Sequence, residues 1–194
     1  MRWDKLIHKQ RSLPANHEET ADMNQRVESW IHNYGHDLKW LAYSYVKDHS
    51  LAEDITQEAF IKAYQKFSTF KEQSSEKTWL YKITINLCKD YLKSSYMKRV
   101  VKKGAEMFRS LPSDQSTPEE YVVNLSEDEE LLQHVLRLES KYREIIILYY
   151  FEEFDTKELA EVIQASPNTV KTRLRRARQL LQKQMTSEGG TRNE

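Results

Sequence analysis

The stretch FDTKELAEVIQASPNTVKTRLRRARQLLQK, residues 154–183, decides the fold of the C-terminal part of the chain. Asp155 with Glu158 three residues later forms a capping box, which opens a first short helix. Ser166 is a favoured N-cap, and Pro167 follows at the first helical position, where its missing N–H costs nothing. The pattern therefore predicts two short helices joined by a tight turn, which is a helix-turn-helix.

The second helix of this pair has an apolar side and a basic side. The positions expected to face the core recur at helical spacing: Val170, Leu174, Ala177 and Leu181. The opposite side carries Asn168, Thr172, Arg175, Arg176 and Gln179, flanked by Lys171, Arg173 and Arg178. Solvated surface helices usually interleave Glu with their bases, whereas this one has no acid between Ser166 and Lys183. DNA, with phosphates for Lys and guanine edges for Arg, is the predicted partner, and an ordinary solvated basic helix is the alternative.

Bulk composition limits the class of protein. A chain of 194 residues can hold one or two compact domains. Four Gly, four Pro and almost no alternating β pattern predict an all-α fold. The single cysteine, Cys88, allows no internal disulfide, no apolar run approaches the roughly 20 residues of a membrane span, and the N-terminus lacks the apolar core of a signal peptide. These features predict a cytoplasmic protein without direct membrane insertion.

Formal net charge is zero, but the charges are segregated along the chain. Residues 82–103 hold seven bases and one acid, and residues 114–130 hold seven acids and no base. Residues 110–118 have the Ser, Pro, Thr and Asp content of a linker, and Thr117 before Pro118 predicts that a helix restarts there. We expect two helical domains, 23–99 and 118–185, joined by a flexible linker, 100–117, with loosely ordered ends at 1–22 and 186–194.

Three long helices are predicted in the N-terminal half: Met23–Val46, a second from a capping box at Ser50 to Lys66, and Glu76–Arg99. The expected buried sides are Val27, Trp30, Ile31, Tyr34, Leu38, Leu41 and Tyr45 on the first helix, Ala52, Ile55, Ala59, Ala63 and Phe67 on the second, and Trp79, Leu80, Ile83, Leu87 and Tyr91 on the third. The second helix should expose Glu53, Asp54, Gln57, Glu58 and Lys62.

The other side of the third helix carries Lys82, Asn86, Lys89 and Lys93 at spacings of four, three and four. Lysines one turn apart can follow a phosphate backbone, and an amide between them offers a donor and an acceptor to a base edge. Phe70, in a polar loop over residues 68–75, and Tyr81 could stack on a base that has left the duplex. A solvated helix face is the alternative.

Three blocks of sequence together resemble the extracytoplasmic-function class of bacterial sigma factors. They are AEDITQEAFIKAYQKFSTF (52–70), KTWLYKITINLCKDYL (77–92) and SPNTVKTRLRRAR (166–178). They stand in the order of that family, and the resemblance spans roughly residues 23–184. It implies a region-two domain and a region-four domain, and it implies RNA polymerase core and promoter DNA as partners. It also implies an anti-sigma factor as a partner, of a kind that is often anchored in the membrane.

The resemblance assigns expected roles to the faces described above. The acidic face, Glu53, Asp54, Gln57 and Glu58, is expected to dock on polymerase, since an acidic surface suits a basic partner helix and repels DNA. The −10 promoter element is expected to contact Phe70, Lys82, Asn86, Lys89 and Lys93. The −35 element is expected to contact Asn168, Thr169, Lys171, Thr172, Arg173, Arg175 and Arg176.

Two other classes of protein are alternatives. A stand-alone transcription regulator would bind duplex DNA through the helix-turn-helix without polymerase. An enzyme would need a buried, tuned acid or base, but the carboxylates of the second helix lie opposite its apolar side. The six histidines show no ligand spacing, so no metal, cofactor or catalytic residue is predicted.

Overall fold

The structure, a computed structural model, describes residues 17–70, 74–106 and 127–189. It contains seven α-helices in that part of the chain and no β-strand there. The helices are α1 His17–Val46, α2 His49–Lys66, α3 Glu76–Glu106, α4 Glu127–Arg137, α5 Ser140–Ile146, α6 Thr156–Val162 and α7 Pro167–Gly189. Backbone contacts divide the chain into two compact units, formed mainly by residues up to Cys88 and mainly by residues from Lys89 onwards. The all-α prediction is confirmed.

The first unit is built on α1 and α2, which pack against each other across a two-residue turn. Its buried side chains include Trp30, Leu38, Leu41, Ala59, Phe60, Leu80, Tyr81 and Ile85. Small buried residues one or two turns apart on α2, such as Ala52, Ala59 and Ala63, allow close approach between helices. The predicted buried sides of α1 and α2 are confirmed except at Ile31, Tyr34 and Phe67, which are half-buried.

Two predicted features of α3 are wrong. Tyr91 was expected in the core but is 41% exposed, whereas Tyr81, expected to stack on a base, is fully buried. Burial on α3 is concentrated in its first turns, where Thr78, Thr84, Ile85 and Cys88 are also buried. The buried positions there fall on more than one side of α3, so a single apolar stripe does not describe it.

The start of α2 differs from the prediction in its N-cap. Asp48, not Ser50, caps the helix: its Oδ1 accepts from the backbone N–H of Leu51 at 2.9 Å. Lys47 just before it has a φ of 58° and ends the preceding segment in the left-handed region. An aspartate two residues upstream of the serine offers the same N-cap chemistry, and the turn geometry selects it.

Three helix bounds also extend beyond their predictions. α1 begins at His17 rather than Met23, because the acids of residues 18–22 favour a helix N-terminus. α3 continues to Glu106, so residues 100–106 of the predicted linker are helical, since no proline interrupts them. α7 likewise extends through residues 186–189 of the predicted tail. The predicted helix restart at Thr117 lies outside the described residues, as do positions 1–16 and 190–194.

The second unit contains α4 to α7, with a π-helical turn, Ile147–Phe151, after α5. Its core includes Val135, Ile145, Ile147, Leu148, Leu159, Val170 and Ala177. Arg143 lies buried in α5, where its Nη1 donates to the carbonyls of Leu136 and Leu138 at 2.8 and 2.9 Å. A guanidinium at this position satisfies carbonyls that the end of α4 leaves without helical partners.

The turn between α6 and α7 is a Schellman motif. The N–H of Ala165 donates to the carbonyl of Ala160 at 2.9 Å, and the N–H of Gln164 donates to the carbonyl of Glu161 at 3.2 Å. Gln164 has a φ of 55°, in the left-handed region that usually selects glycine. The predicted helix-turn-helix is therefore present, with glutamine at the residue that reverses the chain.

Candidate polymerase-binding and nucleic-acid interfaces

The predicted polymerase-docking residues share the outward side of α2. Glu53, Asp54 and Glu58 are exposed and Gln57 is half-buried, while Ala52, Ile55 and Ala59 on the other side are buried. Gln57 Nε2 donates to Glu53 Oε1 at 3.3 Å. Glu58 Oε1 lies 3.0 Å from Lys62 Nζ. The side therefore presents a compact acidic surface, which we call the acidic face of α2 (Glu53, Asp54, Gln57 and Glu58).

The predicted −10 residues of α3 occupy one side of that helix. Asn86, Lys89 and Lys93 are exposed and Lys82 is half-buried. Their spacing of three or four residues places them one above another along about three turns. We call these four residues the basic face of α3.

Phe70 lies at the end of the short 3-10 turn Phe67–Thr69 and is half-buried. Its ring centroid is 5.0 Å from the Trp79 ring and 5.9 Å from the Phe67 ring. One side of the Phe70 ring is thus used for packing within the first unit. Its role in contacting the −10 element remains a prediction.

The outward side of α7 carries most of the predicted −35 residues. Asn168, Lys171, Thr172, Arg175 and Arg176 are all exposed, and Val170, Leu174 and Ala177 on the opposite side are buried as predicted. Arg176 Nη1 lies 3.5 Å from Gln179 Oε1, one turn further along. The exposed five form a polar and basic stripe, which we call the outward face of α7.

Two predicted −35 residues have partners inside the second unit. Arg173 is half-buried, and its Nη1 donates to Oε1 of Glu144 at 3.3 Å. Glu144 lies on α5 and is 2% exposed. Thr169 is also half-buried, and its Oγ1 lies 2.9 Å from the hydroxyl of Ser166. Arg173 follows Val170 by three residues and precedes Ala177 by four, which puts it beside the buried side of α7.

The caps that hold the helix-turn-helix are those that the sequence predicts. Asp155 Oδ1 accepts from the N–H groups of Lys157 and Glu158 at 2.6 and 2.9 Å, and Glu158 Oε2 accepts from the N–H of Asp155 at 2.9 Å. These backbone hydrogen bonds from Glu158 and Lys157 lower the pKa of the Asp155 carboxyl below its usual 3.8. Ser166 Oγ accepts from the N–H of Thr169 at 3.1 Å.

The contacts of Arg178 were missed in the sequence. Arg178 Nε donates to the Tyr150 hydroxyl at 2.8 Å, and its guanidinium lies 5.6 Å from the ring centroids of Tyr149 and Tyr150. This contact fixes the π-helical turn to α7, with Tyr150 and Phe151 about half exposed there. The basic charge of Arg178 was visible in the sequence, but nothing within one helical turn pointed to a tyrosine 28 residues away.

The described residues hold no group of three or more His, Cys, Asp or Glu side chains arranged to bind a metal ion. Cys88 forms no disulfide and is buried in α3. Within the described ranges, none of the helices combines the length and the apolar character that crossing a membrane requires.

Comparisons with known proteins match both units. Residues 30–99 match the family Sigma-70 region 2, and residues 128–181 match the family Sigma-70, region 4. The ECF RNA polymerase sigma factor SigW of Bacillus subtilis (strain 168) is 35% identical over 158 residues, covering 78% of this chain and 84% of that protein. The RNA polymerase sigma factor SigV of the same strain is 34% identical over 158 residues, covering 81% and 90%.

A solved structure has a similar fold. The sigma factor RpoE, in complex with the anti-sigma factor NepR from Bartonella quintana, has a TM-score of 0.61 at 25% sequence identity. That match covers 85% of this chain and 97% of the RpoE chain. The region-two and region-four matches stand in the chain order expected from the sequence.

Proposed function

The chain belongs to the extracytoplasmic-function sigma factors of the sigma-70 family, and from this premise we propose that it binds RNA polymerase core and directs it to promoters with defined −10 and −35 elements. The observation that carries the proposal is the pair of matches, one to region two and one to region four. Each matched part also presents a charged surface of the kind its task needs.

Polymerase docking is assigned to the acidic face of α2. The face lies on a helix whose opposite side is anchored by buried Ala52, Ile55 and Ala59, so its carboxylates are presented from a rigid element. A surface of this sign attracts a basic partner and disfavours the phosphates of DNA. Glu53 and Glu58 each have one short-range partner on α2, which limits the number of rotamers they lose on binding.

Capture of the −10 element is assigned to the basic face of α3. Lys93 supplies exposed positive charge on this face. Lys82 and Lys89 add theirs, with Nζ atoms that lie 3.9 Å from Glu161 Oε1 and 3.1 Å from Glu144 Oε2. Asn86 between the lysines is exposed and able to form paired hydrogen bonds with a base. Lysine contacts to phosphates fix position without reading sequence, whereas an amide contact to a base edge reads it. Asn86 is therefore the proposed reader, and the three lysines hold the strand.

Recognition of the −35 element is assigned to the outward face of α7, with Arg175 and Arg176 as the proposed base or phosphate contacts. Arg173 has a different proposed role. Its ion pair with Glu144 holds α7 against α5, so it positions the recognition helix and does not itself reach for DNA. Thr169 similarly belongs to the N-cap of α7.

The protein is proposed to act as an adaptor that makes and breaks no covalent bond, because its relatives are sigma factors. Its proposed site of action is the cytoplasm, where core polymerase and the chromosome meet. An anti-sigma factor is its proposed regulator. The support is the fold shared with RpoE, which was solved together with NepR.

Run-off transcription tests this function. Purified core polymerase is given genomic DNA with and without the protein, and new transcripts should start at a small set of promoters only when the protein is present. A stand-alone regulator would behave differently in two respects. It would bind its duplex without polymerase, and adding it to core enzyme would produce no new start sites.

A further inference from the structure

One carboxylate in the first unit joins two distant helices. Glu76 is the first residue of α3, and its Oε1 accepts from Arg26 Nη1 at 2.8 Å while its Oε2 accepts from the Trp30 indole Nε1 at 2.7 Å. Both donors lie on α1, Arg26 50 residues and Trp30 46 residues before Glu76. The two oxygens therefore fix the first turn of α3 to α1 from two directions.

The same residues form the edge of an aromatic cluster. The Trp30 ring lies 5.7 Å from Phe67 and 5.9 Å from Trp79, and Phe70 lies 5.0 Å from Trp79. The Arg26 guanidinium is 4.7 Å from the centre of the Phe67 ring. Arg26, Trp30 and Glu76, which we call the Glu76 node, thus hold the turn that ends at Phe70 and the beginning of α3 in one arrangement.

Stability alone gives a weak reason for this node. The side chains of Arg26 and Glu76 are 36% and 33% exposed, and ion pairs that water reaches contribute little to the free energy of unfolding. Short hydrogen bonds in two directions do fix orientation, which packing of aromatic rings by itself leaves less defined. Ser75 adds to this by capping α3: its hydroxyl accepts from the N–H of Thr78 at 3.1 Å.

Resting on the function proposed above, we propose that Glu76 is a positioning residue for −10 recognition. Through Arg26 and Trp30 it sets the position of Phe70 relative to the helix that carries Asn86. Arg26 also offsets the negative charge that Glu76 would otherwise present to phosphates near the start of α3. Glu76 touches no base in this scheme and acts only through the side chains it holds.

The test measures discrimination between a cognate −10 element and its variants. This discrimination is a ratio of transcripts, and such a ratio is independent of how much protein is folded. Holoenzyme made with the wild-type protein or with Glu76→Ala transcribes a promoter and its single-base −10 variants, competing in one tube. The ratio of cognate to variant transcripts should fall by about three- to tenfold in Glu76→Ala. Glu76→Gln keeps an acceptor for Trp30 and loses the ion pair, so its ratio should lie between that of the wild-type protein and that of Glu76→Ala.

A matched control is available in the second unit. Glu139→Gln removes an exposed carboxylate that lies 2.8 Å from Lys141, and it should leave the −10 ratio unchanged. Discrimination among −35 variants should stay at the wild-type value in all three variants. A purely structural role for Glu76 predicts lower total transcription with every ratio preserved, and that result would overturn the proposal. If the wild-type protein itself directs no transcription, the underlying function is wrong as well.

Discussion

Arg173 and Arg176 lie three residues apart on α7 but have different surroundings. Arg176 is exposed on the outward face, whereas Arg173 is paired with buried Glu144. Replacing Arg176 by alanine should weaken promoter binding by about 1–3 kcal/mol and relax preference at one −35 position, as the loss of a base contact does. Arg173→Ala should instead lower the melting temperature, because it leaves a buried carboxylate without this partner.

Competition binding with −35 variants and thermal unfolding distinguish these two effects. Lys141→Ala is the control, since it removes one exposed charge from the same unit and keeps both arginines. Unchanged transcription from the cognate promoter with Arg176→Ala would remove that residue from the proposed contacts. If the Arg173→Ala protein has normal stability but a relaxed −35 preference, Arg173 is itself a contact to the −35 element.

Gln164 occupies a backbone position that suits glycine better. Its φ of 55° costs a side-chain-bearing residue about 1–2 kcal/mol, of which glycine's greater freedom in the unfolded chain cancels part. Gln164→Gly should therefore raise the free energy of unfolding by about 0.5–1 kcal/mol. Denaturant unfolding followed by circular dichroism measures it. Ala165→Gly, next along the chain, should destabilise, and equal effects of the two changes would contradict the explanation.

Asp155 gives the helix-turn-helix a pH dependence of known sign. Because backbone hydrogen bonds lower the folded-state pKa below the ordinary 3.8, the charged carboxylate stabilises the fold above that pH. The contribution is lost as the pH falls through the folded-state pKa. An NMR titration of the Lys157 and Glu158 amides should show a midpoint below 3.8, and a midpoint at or above it would exclude this cap as the cause. The stabilising effect of Ser166, whose hydroxyl does not titrate, should be independent of pH.

Residue-level predictions from sequence succeeded where the partners are close in the chain. The caps at Asp155 and Ser166 involve residues no more than three positions away, so the order of residue types contains the whole interaction. The predicted N-cap of α2 was wrong at the same scale, because two residues able to cap the helix, Asp48 and Ser50, lie within one turn. Choosing between them requires the path of the preceding chain, which ends at Lys47 in the left-handed region.

At the scale of elements, α2 combines a buried small-residue side with the acidic face proposed to dock on polymerase. Reversing charge there with Asp54→Lys and Glu58→Lys should abolish capture of core polymerase, because both side chains are exposed and the buried side is untouched. A pull-down on immobilised core enzyme measures capture, and circular dichroism checks that helix content is retained. Glu28→Lys with Glu139→Lys, two exposed acids elsewhere, is the charge-matched control. If the Asp54→Lys, Glu58→Lys variant still captures core polymerase fully, the docking surface does not lie on the acidic face of α2.

The helix α3 shows what periodicity leaves open. Spacing placed Leu80 and Leu87 correctly on its buried side, but it also placed Tyr91 there and put Tyr81 outside. A repeat of three or four residues gives the direction of a stripe. It says nothing of how many neighbouring helices cover each turn, or of where along the helix that cover ends. The basic spacing on the other side could be read directly, because a repeat of three or four residues is enough to place side chains on one side of a helix.

At the scale of the molecule, the order of the two units could be predicted from the sequence. The contacts that stabilise each unit could not be predicted. Segregated charge and a linker composition marked two halves of a chain whose net charge is zero. Glu76 with Arg26, and Arg178 with Tyr150, join residues 50 and 28 positions apart. Such pairs depend on how the helices pack, and no local pattern of residue types marks them.

The two promoter elements are assigned to different surfaces, the basic face of α3 and the outward face of α7, and this assignment predicts that they are read independently. In a double-mutant cycle, Arg176→Ala should cost promoter binding much less once the −35 element is scrambled, because both changes remove the same contacts. Lys93→Ala should cost the same with either −35 sequence, to within about 0.5 kcal/mol, since it belongs to the other proposed surface. Holoenzyme binding is measured for the wild-type, Arg176→Ala and Lys93→Ala proteins on the intact and the scrambled promoter, and these six combinations give both couplings. A strong coupling of Lys93 to the −35 sequence would mean that the basic face of α3 and the outward face of α7 act on DNA as one surface, contrary to the proposed division of labour.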